Sequence, residues 1–143
     1  MCHEQAEALL HAGDELGPRR YNREYINAFI QAAREAGYLV TYNHPVRSME
    51  EQESILSYTG YVSLEIFNTG SAVINGQEAN IPLYERMLRH GRYPFVHGAD
   101  DNHNKKPFDH LMNDSFGSWT MILAESLTYE KIIEALENGR FYA

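Results

Sequence analysis

The sequence predicts an α/β fold on a parallel sheet, about four consecutive βα units long. Apolar runs of β type recur at 38–42, 61–66, 93–97 and 118–124, and a helical pattern separates each from the next. Each of the first three runs leads into a short polar motif: Asn43-His44-Pro45, Glu65-Ile66-Phe67-Asn68 and Asp100-Asp101-Asn102-His103. Crossover helices bring the carboxyl ends of parallel strands to one edge, where α/β enzymes keep their chemistry. Imidazoles and carboxylates far apart in the chain are therefore expected to converge.

The elements follow in order. A short helical pattern (Ala6, Leu9, Leu10) occupies 1–17, and Gly17-Pro18 breaks it, so 1–20 stands as a separate N-terminal segment and 21–143 as the α/β domain. Tyr25, Ile26, Phe29, Ile30 and Ala33 repeat at helical spacing from about Asn22 to Ala36, with Asn22 as N-cap and Gly37 just past the end. Ser48, with Glu51 three residues on, reads as a capping box for a helix to about Tyr58. The Gly-, Asn- and Ser-rich stretch from Thr69 to Pro82 reads as the longest loop, before a helix over 82–90 that Gly91 closes. A second polar loop covers 102–115, and Thr128 caps a last helix that Gly139 stops.

Composition narrows the class. At 143 residues, 43% of them apolar, the chain suits one domain with a real core. A formal charge of −8 argues against a general nucleic-acid or anionic-membrane binder, leaving room for a local basic pocket that takes one phosphate. The single cysteine, Cys2, excludes an intrachain disulfide, so a reducing cytoplasm is expected. No apolar run reaches the roughly 18–20 residues of a membrane span.

Asp101 and His103 lie two residues apart, so both side chains can face one divalent ion, with Asp100 and Asn104 placed to orient the imidazole. The plainer reading is an Asx-rich turn. His44 precedes Pro45, which favours extended backbone at the histidine and would hold its imidazole at the sheet edge; the alternative is a hydrogen-bonded loop histidine. Glu65 ends a strand of imperfect alternation, and a carboxylate there needs a partner or a metal. Asn68 either holds substrate or makes a turn. Two imidazoles and two carboxylates suit Zn²⁺, Mn²⁺ or Fe²⁺ alike. Of the other histidines, His3 and His11 read as surface residues and His90 sits at a helix C-terminus. His97 faces ambiguously, and His110 lies in a loop.

In this order, Asn43-His44-Pro45-Val46-Arg47-Ser48, the run Gly60 to Asn68, Asp100-Asp101-Asn102-His103-Asn104, Phe116-Gly117-Ser118-Trp119 and Gly139 to Ala143 resemble the PHP (polymerase and histidinol phosphatase) metallophosphoesterases. The resemblance covers about residues 21–143. It implies a distorted seven-stranded, TIM-like β/α barrel holding two or three divalent metals, at which activated water attacks a small-molecule phosphoester. It makes His44, Asp101 and His103 metal ligands and Asp101 and His103 the catalytic pair. Glu65 becomes a ligand or a neighbour of one, and Arg47 and Asn68 become phosphate or substrate contacts. The family opens on a His-x-His strand, and this chain has no His-x-His. The expectation is therefore the C-terminal half of such a domain, with weak or no activity by itself. Half a barrel leaves sheet edges and an apolar face uncovered, which favours homo-oligomers. Two other readings stand beside it. One is a non-catalytic, degenerate module that acts through a partner or a second copy. The other is an unrelated hydrolase using Asp101 and His103 as acid and base.

Overall fold

Helix α1, Arg23–Glu35, starts where the Asn22 side chain accepts from Tyr25 N–H (2.9 Å) and buries Ile30 and Ala33. The computed structural model describes residues 20–76 and 79–143, so the expected helix within 1–17, Cys2, His3 and His11 lie outside the described residues. Gly37 (φ 86°) then turns the chain into β1, Thr41–Tyr42. Helix α2, Gln52–Ser57, leads to β2, Ser63–Asn68. Helices α3, Thr69–Asn75, and α4, Ile81–Arg89, precede β3, Phe95–Ala99. The three strands form a parallel sheet in the order β1-β2-β3, with Thr41 beside Ser63 and Ser63 beside Phe95. Ile55, Leu64, Leu83 and Met87 make a buried cluster from α2, β2 and α4, with Tyr42, Leu56, Tyr61 and Tyr84 packed against it. The Arg92 guanidinium ties the end of α2 to the start of β3 by donating to the Leu56 carbonyl (2.5 Å) and the Tyr58 carbonyl.

Several expectations need correcting. The fourth strand is not a fourth parallel βα unit. The run at 118–124 contributes only β4, Met121–Ile122, which pairs antiparallel with β5, Phe141–Tyr142, after helix α5, Tyr129–Glu137. At the free edge of β3, the Thr120 hydroxyl bonds both Gly98 N–H (3.1 Å) and Gly98 C=O (2.9 Å), so a side chain replaces the ladder there. The N–H groups of 116–118 go to the Asp100 carboxylate. The described residues thus form a mixed α/β fold without a closed barrel.

The expected loop from Thr69 to Pro82 contains α3, because the Asn68 side chain caps it through Ser71 N–H (2.7 Å) and Gly76 ends it in the left-handed region. Ser48 caps no helix: its hydroxyl donates to the His44 carbonyl (3.1 Å), and α2 starts later, after Glu51. No described helix is long and apolar enough to cross a membrane.

Candidate functional site

Glu65, from inside β2 rather than at its end as expected, meets Asn68 at the carboxyl end of β2 and Asp101 just past β3. Asn68 is buried, and its amide nitrogen lies 3.1 Å from Glu65 Oε2 and 3.2 Å from Asp101 Oδ2, bridging two carboxylates. Its oxygen meanwhile caps α3, so one side chain both starts a helix and spaces two acids. Glu65 is 2% exposed, and its Oε2 also accepts the backbone N–H of His44 at 2.6 Å. Arg47 reaches the other side of the junction, 3.4 Å from Asp101 Oδ2.

His103 flanks this group, with Nε2 3.9 Å from Asp101 Oδ1. Its Nδ1 lies 2.6 Å from the Asp101 carbonyl, which can only accept, so Nδ1 carries the proton and a neutral ring leaves Nε2 free.

The chain is bent hard at both strand ends. His44 (φ 33°) and Asp101 (φ 51°) are non-glycine residues in the left-handed region. The extended backbone expected at His44 is therefore corrected: Ser48 N–H donates to its carbonyl (3.0 Å) and closes a turn there. Such strained residues cluster at working sites. The His44 ring lies 3.3 Å from Ser48 Oγ through Nδ1, so His44 joins the junction through its backbone. Gly70 lets α3 approach closely, since a Cβ there would sit 3.3 Å from the carbonyls of Asp100 and Asp101.

Asp100 does not orient the imidazole, as its position had suggested. Its carboxylate takes the N–H groups of Phe116 (2.5 Å), Gly117 (3.0 Å) and Ser118 (2.9 Å). Burial pushes this carboxyl up, but the backbone donors outweigh burial and hold it below the ordinary range.

No family model, characterised protein or solved structure matches this chain. Among the described residues, no three His, Cys, Asp or Glu side chains lie close enough together to hold a metal ion. Asp101 and His103 offer two donors, whereas catalytic zinc sites use three protein ligands. The four expected ligands do not by themselves form the multi-metal centre that the resemblance implies.

His97 pairs with Ser63 Oγ (2.9 Å) across the sheet, and burial lowers its pKa. His90 caps α4 with its ring on the Arg86 carbonyl (2.8 Å), and His110 accepts from Met112 N–H (3.0 Å) in its loop. Sequence reasoning missed Asp114, a buried carboxylate that holds the His103 backbone N–H at 2.9 Å. Its only sequence signal was an acidic residue inside a polar loop, where carboxylates are ordinary.

Proposed function

We propose that this chain carries part of the centre of a metal-dependent phosphoesterase of PHP type, on part of a distorted β/α barrel. The observation that carries the reading is the Asp101 carboxylate, shared by Asn68 and Arg47 and faced by His103 at the strand ends. In this reading Asp101 and His103 are the ligand pair, and His44 joins them once its ring leaves Ser48. Glu65 positions Asn68 and the His44 backbone. The Arg47 guanidinium suits a phosphoryl oxygen. Zn²⁺, Mn²⁺ or Fe²⁺, when bound, supplies Lewis acidity and an activated water. A small-molecule phosphoester fits a chain of charge −8 better than nucleic acid. Placement in the cytoplasm rests on the single cysteine.

The test is metal content and turnover of the purified chain. Bound Mn²⁺ that disappears in a His44→Ala/Asp101→Ala double variant is expected, with little or no hydrolysis of p-nitrophenyl phosphate. Robust turnover lost in His103→Ala would show a complete centre and overturn the partial one.

A second reading, a non-catalytic module that associates with another copy of itself, is favoured by the two-donor count. It is also favoured by the bare apolar side chains of Leu111, Phe116, Trp119 and Leu123, all more than 60% exposed. Metal-free protein that dimerises in sedimentation velocity supports it.

A further inference from the structure

We infer that an apolar cleft next to the junction binds the uncharged, ring-sized body of an organic ligand; that this ligand is a phosphoester held at Arg47 rests on the reading of the chain as a phosphoesterase. The cleft is lined by Ile66, Phe67 and Ile81 from β2 and α4, and by Trp119 and Tyr142 from the segment before β4 and from β5. Its volume is about 470 Å³, and no charged side chain lines it among the described residues, in a chain of charge −8. Ile81, Trp119 and Tyr142 stay 54%, 63% and 55% exposed, so these side chains do not close the opening.

Both walls are pinned. The buried Asn80 gives its N–H to the Ile66 carbonyl (2.7 Å) and its amide nitrogen to the Glu65 carbonyl (3.1 Å), and its Oδ1 takes Val46 N–H (3.1 Å). These bonds fix the start of α4 to β2. On the other wall, the Asp100 carboxylate takes the N–H groups of 116–118, and the Thr120 hydroxyl bonds both backbone groups of Gly98. Ser118 Oγ fills the space that a Cβ on Gly98 would need, and Thr69 fills the space beside Gly117. Segment 117–119 therefore cannot fold down onto Ile81 without giving up these contacts. An apolar opening whose walls are held apart is a preformed pocket, and 470 Å³ lies within the range of about 300–1,000 Å³ that small molecules occupy. The rings of Phe67, Trp119 and Tyr142 favour an aromatic body. The cleft is continuous with the junction: one peptide bond joins Phe67 to Asn68, and another joins Asp100, which holds the second wall, to Asp101. A benzyl or aryl group in the cleft and a phosphoryl group at Arg47 are then two parts of one ligand.

Trp119 is the only tryptophan, so its indole N–H gives a single cross-peak in ¹H–¹⁵N NMR of the full chain. Benzylphosphonate, titrated with and without Zn²⁺, should shift this peak saturably. It should bind about 10-fold or more tightly than methylphosphonate, read at the Arg47 amide. Ile81→Glu puts a carboxylate in the cleft at an exposed first-turn position that accepts one. It should weaken benzylphosphonate by about 10-fold or more. A Trp119 peak that benzylphosphonate leaves in place, or equal affinity for the two phosphonates, overturns the inference, and this comparison decides alone if Ile81→Glu does not fold. A folded Ile81→Glu that binds like wild type also overturns it. A peak that moves on dilution alone gives the cleft to a second copy of the chain and overturns it too. If benzyl alcohol binds as tightly as benzylphosphonate, and neither Arg47→Ala nor Zn²⁺ changes that, the apolar site stands and the phosphoesterase reading falls.

Discussion

Asn68 has three jobs on one side chain, and its substitution separates them. Asn68→Ala removes the cap on α3, worth about 1 kcal/mol, and the donor between Glu65 and Asp101. Asn68→Asp keeps an acceptor for the cap but sets a third carboxylate against two others. At neutral pH we expect Asn68→Asp to be the less stable variant, about 2–4 kcal/mol below wild type by urea denaturation. An Asn68→Asp protein as stable as wild type would contradict the network.

His97 gives a pH dependence of known sign. Its ring bonds Ser63 Oγ, its register partner on β2 is Glu65, and burial holds its pKa below the ordinary value. As pH falls, the unfolded chain takes up this proton first. The stabilisation is therefore whole above about pH 6.5 and is lost as pH falls through the folded pKa. Melting temperature should decline more steeply between about pH 7 and 5 in wild type than in His97→Gln. Parallel curves would contradict the assignment.

At the scale of elements, the helices with an amphipathic apolar stripe were legible. Asn22 and Thr128 start α1 and α5 as their sequence positions imply, and Gly37, Gly91 and Gly139 adopt positive φ beyond α1, α4 and α5. Helix α3 was not legible, because Thr69, Gly70 and Ser71 are poor helix formers, held there by burial and the Asn68 cap. Nor was the fate of 118–124. Its alternation suits a strand, but whether it joins β3 depends on Gly98, where a Cβ would lie 2.3 Å from Ser118 Oγ and 3.1 Å from the Trp119 carbonyl. Gly98→Ala should destabilise by about 1–3 kcal/mol in urea denaturation. Adding Ser118→Ala should recover part of the loss, since the backbone carbonyl remains in the way. Additive effects in that double-mutant cycle would place the clash elsewhere.

For the whole molecule, the convergence of strand ends was legible because a parallel sheet imposes it, whatever the loops do. Glu65, Asn68, Asp101 and Arg47 do meet, and His103 stands beside them. What each residue does there was not legible. Whether Glu65 faces a metal or a backbone N–H depends on a left-handed turn at His44 that Pro45 argued against. Asp114 reaches His103 across a loop without periodicity, so no pattern could announce it.

The central claim is that Asp101 and His103 form a donor pair for a divalent ion. Titration of the purified chain with Mn²⁺, followed by electron paramagnetic resonance of the free ion, tests it most directly. The account predicts saturable binding of Mn²⁺ by wild type that is lost in both Asp101→Asn and His103→Ala. No binding by wild type, or equal binding by all three proteins, would contradict it.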